Sequence, residues 1–71
     1  MSQIELSPRE KQVLAMTWDG LSIKEIAQML DVSLSAVKGT RESLFNKFGV
    51  DNSVSACRMG LKRGYLEADR A

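Results

Sequence analysis

Two stretches with helical periodicity meet across three residues, and that junction limits the folds open to the chain. Upstream, Ser22-Ile23-Lys24-Glu25 is a capping box: the serine hydroxyl and the glutamate three residues on satisfy each other's backbone N–H groups. Ile23, Ile26, Ala27 and Leu30 follow at the i, i+3, i+4, i+7 spacing of a buried helix face. Downstream, Ser33 is a good N-cap and Gly49 a good stop, so the spacing predicts a helix over 34–48. Val37, Leu44 and Phe48 form its buried stripe, with Thr40 filling in. Ser35, Lys38 and Glu42 fall on the opposite side, with Gly39 at the flank. Asp31-Val32 leaves room only for a tight turn, and the short Ala27 lets the two helices approach closely.

The same signals run through the rest of the chain. Ser7-Pro8-Arg9-Glu10 starts a first helix with a second capping box, and proline sits where its missing N–H costs nothing. Val13, Leu14, Trp18 and Leu21 recur at helical spacing, Trp18 as a core or edge aromatic, and Asp19-Gly20 ends the helix. Asp51-Asn52 can cap a fourth helix running to about Arg63. Ala56 and Gly60, four apart, would let that helix pack closely, Gly64 would stop it, and Tyr65-Leu66 would fold back as an apolar plug. The expected fold class is all-α, a compact four-helix domain with a helix-turn-helix formed by the second and third helices. The expected boundaries are a flexible lead-in at 1–5, the domain at 6–66 and a frayed tail at 67–71.

Composition excludes more than it proposes. A chain of 71 residues supports one core and buries only about 60% of its unfolded surface, so a partner or dimer interface would help it. Ten basic against nine acidic residues give a formal charge of +1, which does not announce a nucleic-acid binder. The one cysteine, Cys57, allows no internal disulfide and suits a reducing cytoplasm. No apolar run approaches a membrane span, and no signal peptide is visible. There is no histidine, no paired-cysteine metal spacing and no glycine-rich phosphate loop, so neither an enzyme nor a cofactor or metal is expected.

The helix-turn-helix layout is one whose second helix enters the DNA major groove. Its surroundings carry a family resemblance. Leu6-Ser7-Pro8-Arg9-Glu10 with Val13-Leu14, Gly20-Leu21-Ser22-Ile23-Lys24-Glu25-Ile26-Ala27, Val37-Lys38, Lys47-Phe48-Gly49-Val50 and Leu61-Lys62-Arg63-Gly64-Tyr65-Leu66 resemble the LuxR/FixJ-type, or GerE-like, DNA-binding domain over about residues 6–66. The resemblance implies a bacterial cytoplasmic regulator of transcription, nucleoid-associated when bound to double-stranded DNA. It also implies a homodimer through the fourth helix, with Val54, Cys57, Arg58 and Leu61 as candidate interface residues. Most members carry this domain behind a phosphoreceiver or small-molecule sensor and a minority consist of it alone; a chain starting at Met1 fits either. Ala36 and Thr40 stand where the family usually has threonine and often histidine, and Gly39 and Glu42 stand where members commonly contact bases.

Each candidate DNA-binding residue has a chemical reason. Lys38 is the leading major-groove contact, to guanine O6/N7 or to a phosphate. Gly39 can let the helix approach base edges, and Glu42 can accept from a cytosine amino group. Lys24 is an expected phosphate contact. Ser33, a cap first, and Ser35 can donate to phosphates beside the free N–H groups of the helix start. Arg41 can pair within the protein or reach the DNA backbone, and Lys47 is either a phosphate contact or an exposed charge. Cys57 reads as a small packing residue, with a thiol sensor or crosslink as the minor reading.

Two further functions fit the residues. The near-neutral charge, Gly39 and Glu42 also suit a helix-turn-helix-shaped module that binds a partner transcription factor. A sigma-factor end shares the helix pair, but the fourth helix and the Lys47-Phe48-Gly49-Val50 ending argue against it.

Overall fold

A computed structural model describes residues 5–67. It contains α1 (Pro8–Trp18), α2 (Ile23–Leu30), α3 (Leu34–Phe48) and α4 (Ser53–Lys62), with no strand among the described residues. The expected lead-in and tail fall mostly outside the described residues. None of the helices is long and apolar enough to cross a membrane.

Each helix begins where the caps predict. Ser7 and Ser22 accept from the backbone N–H of Glu10 and Glu25, whose carboxylates accept in return from the two cap N–H groups. Ser33 accepts from Ala36, and Asn52, the second of the two expected cap residues, accepts from Ser55. The endings share one construction. A residue with positive φ follows each helix, at Gly20, Asp31, Gly49 and Gly64. The next N–H then closes back five residues, from Leu21 to Met16, Val32 to Ala27, Val50 to Phe45 and Tyr65 to Gly60, at 2.8–3.1 Å. Only the turn between α2 and α3 uses a residue with a side chain, Asp31, at φ 58° and ψ 47°. Aspartate tolerates this conformation better than most residues because its short polar side chain can bond locally.

The core has two parts. Leu6, Leu14, Leu44, Phe48, Ala56, Cys57 and Leu66 form the larger, joining α1, α3 and α4. Val13, Ile26, Ala27 and Val37 form the smaller, which holds α2 against α1 and α3. Helix α2 packs on those two helices and not on α4. Gly60 lies where α4 crosses α1: a Cβ there would stand 3.0 Å from Leu14 Cδ2 and 2.9 Å from Leu66 Cδ1. The plug is seated as expected, with Leu66 buried and the Tyr65 ring between Phe48, 6.3 Å away, and the Lys11 ammonium, 5.9 Å away. Trp18 and Thr40 are half-buried; the Thr40 hydroxyl donates to the Ala36 carbonyl at 2.9 Å, so it fills the stripe only in part.

Candidate nucleic-acid interface

The two helices of the motif start differently. At α2 the Glu25 carboxylate closes the capping box, so negative charge sits on the positive end of the helix dipole. Ala36 occupies the equivalent position of α3, and no acidic residue lies in its first turn. Ser33 takes one N–H of α3, leaving an end that can receive an anion. Ser33 and Ser35 are both exposed beside it.

The basic side chains of α3 divide by partner. Lys38 is exposed, and among the described residues its ammonium has no hydrogen-bond or ion-pair partner. Glu42, one turn on, is exposed and likewise unpaired among the described residues, so the i, i+4 pair that the spacing permits is not formed. Arg41 is half-buried and lies over the Phe45 ring, with its guanidinium carbon 5.6 Å from the centroid. Lys47 is drawn inward: its ammonium donates to Glu10 Oε1 at 2.8 Å and to the Glu5 carbonyl at 3.0 Å. Lys47 is exposed, as one of the two readings of the sequence has it, but its charge is paired within the protein. On α2, Lys24 is exposed and its ammonium is unpaired among the described residues. Gly39 is helical and exposed, and a Cβ there would meet nothing within 4 Å. Nothing inside the domain therefore calls for a glycine at this position.

Glu10 is the residue that reading the sequence assigned too little. Beyond its capping role, it is 4% exposed and accepts from Ser43 Oγ at 2.6 Å as well as from Lys47. Burial pushes its carboxyl pKa up. Hydrogen bonds from Lys47, Ser43 and the Ser7 backbone, with the charge of Lys47, outweigh this and lower it from 4.5 to about 2. The partners lie 33 and 37 residues away, beyond the reach of any local pattern.

The candidate dimer residues gather on one side of α4. Thr17 and Trp18 of α1 and Ser53, Val54, Cys57, Arg58 and Leu61 of α4 line a shallow groove of about 380 Å³. Val54 is 67% exposed, whereas Cys57 belongs to the core and shows the groove little surface. Burial pushes the Cys57 thiol pKa up, which fits the packing role rather than a reactive thiolate.

Residues 5–60 match the family described as bacterial regulatory proteins, luxR family. The chain belongs to that family. It is 32% identical over 62 residues to the transcriptional regulatory protein DesR of Bacillus subtilis, covering 87% of this chain and 31% of the relative. It is 34% identical over 50 residues to the transcriptional regulatory protein RcsB of Escherichia coli, covering 70% of this chain and 23% of the relative. The chain thus spans about a quarter to a third of these luxR-family relatives. Among solved structures, the response regulator ChrA of a heme-sensing two-component system superposes with a TM-score of 0.85 at 29% identity, over 93% of this chain and 33% of that one. The VqmA dimer of Vibrio cholerae, described as a LuxR-type receptor in the absence of its target DNA, gives 0.84 at 28% identity, over 89% and 28%.

Proposed function

We propose that this luxR-family domain regulates bacterial transcription by binding double-stranded DNA, with α3 in the major groove. The observation that carries the reading is the ammonium of Lys38, free among the described residues and exposed in the first half of α3, while Arg41 and Lys47 are engaged within the protein. Lys38 meets a guanine edge or a phosphate, and Glu42 and the bare backbone at Gly39 face the neighbouring bases. Lys24, Ser33, Ser35 and the open start of α3 hold phosphates and fix the helix in register. Arg41 reaches the backbone only by leaving Phe45, and Lys47 serves the fold.

Two copies would pair through the α4 groove around Val54, Arg58 and Leu61. Their reading helices would then lie about 34 Å apart on a near-palindromic site. The place of action is the cytoplasm, on the nucleoid when DNA is bound, and an upstream sensor domain belongs to the same proposal.

The test is a salt-dependent binding titration on a duplex recovered from random sequence. Lys24→Ala should weaken binding equally on all sequences and reduce the salt slope by about 1, as one phosphate contact is lost. Lys38→Ala should weaken binding most on the selected site. If neither change moves the affinity, the assignment fails.

A protein-interaction module is the second reading, favoured by the unpaired Glu42 carboxylate on the outward face of α3 and the formal charge of +1. Here Glu42→Lys discriminates. A wild-type chain that binds no duplex even at low salt, yet binds a protein partner tightly, would establish this reading instead.

A further inference from the structure

Among the described residues, three large apolar side chains stand out in solvent: Met29, Leu34 and Val54. Val54 lies in the α4 groove, but Leu34 has no such neighbourhood. It is the first residue of α3, is 46% exposed, and belongs to neither part of the core. Nor does the helix start need it. An apolar residue ahead of an N-cap commonly packs on the fourth helical residue to fix the entry of the chain. Val32 and Val37 occupy those two positions, and both join the smaller core cluster. Leu34 is thus an apolar side chain outside both core clusters, with nearly half of its surface in solvent.

It lies on the flank of the proposed reading helix, one turn ahead of Lys38. Leu34 and Lys38 are four residues apart and share a side of α3. Side chains on a helix tilt toward its N-terminus, which here is the end that leads into the groove. The one apolar feature on a major-groove base edge is the 5-methyl group of thymine. Placed over any other edge, a leucine would leave a donor or acceptor without a partner. One helical turn advances about 5.4 Å, and base pairs are spaced about 3.4 Å, so the two side chains address positions one or two base pairs apart.

We infer that Leu34 reads a thymine methyl group within one or two base pairs of the position met by Lys38. The inference rests on the DNA-binding reading above and adds a specific base to it. Burying one methyl against Leu34 predicts about a threefold to fivefold preference for thymine over deoxyuridine at that position.

The experiment uses the whole 71-residue chain and the duplex selected by it from random sequence. Each thymine is replaced singly by deoxyuridine, and affinity is measured for wild type, Leu34→Ala and Leu34→Met. The expected result is one thymine per half-site whose replacement weakens wild type about threefold to fivefold. The same replacement should leave Leu34→Ala unaffected and still weaken Leu34→Met, which keeps an apolar side chain of similar volume. Deoxyuridine that is neutral everywhere in wild type, an equal loss in wild type and Leu34→Ala, or a selected half-site without thymine would overturn the inference while leaving DNA binding intact. A wild-type chain that selects no duplex would overturn the DNA-binding reading itself, and this inference with it.

Discussion

The ammonium of Lys47, in the last turn of α3, sits 2.8 Å from Oε1 of Glu10, in the first turn of α1. The carboxylate side chain is 6% exposed and the lysine side chain 40%, so the pair is closed on one side and wet on the other. Glu10 joins three tasks in one group: it caps α1, accepts from Ser43 and anchors the far end of α3.

Removing the two partners should therefore have unequal effects. Glu10→Gln weakens at once the charge-assisted bonds from Lys47, Ser43 and Ser7 that lower the carboxyl pKa, and should destabilise the domain by about 3 kcal/mol. Lys47→Met should cost less, about 1–2 kcal/mol, because water reaches that side and Ser43 and Ser7 still donate to the carboxylate. Urea denaturation of the two variants checks the order; equal losses, or a neutral Glu10→Gln, would contradict it.

Acid should unfold the domain through the same carboxylate. Its folded pKa, about 2, lies below the ordinary 4.5, so the unfolded chain takes up the proton first. The stability that Glu10 contributes is fully present above about pH 4.5 and fades as pH falls toward 2. Glu10→Gln should flatten this part of the stability curve, measured by denaturant midpoints at successive pH values.

Two helical glycines should respond to alanine with opposite signs. Gly39 has open space around it, so Gly39→Ala should add about 1 kcal/mol and raise the melting temperature by roughly 4–8 °C. If the glycine serves close approach to bases, the more stable variant should also bind its duplex more weakly. Gly60→Ala drives a methyl against Leu14 and Leu66 and should cost about 1–3 kcal/mol. Thermal melts of both variants and a binding titration of the first test the pair.

Val54→Arg probes the proposed dimer surface without touching the core. At 67% exposure the change should move stability by less than about 0.5 kcal/mol. It should lower self-association in sedimentation experiments and weaken binding to a two-half-site duplex far more than to a single half-site. Unchanged sedimentation and unchanged two-site binding would remove α4 from the interface.

The helices were legible in the sequence because their ends are written locally. Ser7 with Glu10, Ser22 with Glu25, Ser33, and Gly49 each set a boundary through bonds spanning a few residues, and all four boundaries lie where expected. The buried stripe of Val37, Leu44 and Phe48 follows from periodicity for the same reason. Partner choice is a different matter. Lys38, Arg41 and Lys47 look alike as letters, yet one is free, one lies over a ring and one is held by a carboxylate from another helix. Tertiary packing alone decides that division. The exposure of Leu34 is likewise not written in the pattern, because an apolar residue at the first position of a helix need not face the core.

The split core has a mechanical meaning. Helix α2 leans on a handful of small and branched side chains, while α1, α3 and α4 share the larger cluster. The boundary between the two clusters therefore runs beside the motif that would face the duplex, and amide exchange of α2 against α4 should show which cluster opens first. A phosphate backbone gripped at once by Lys24 and Lys38 would tie α2 to α3 from outside, a splint laid across that boundary.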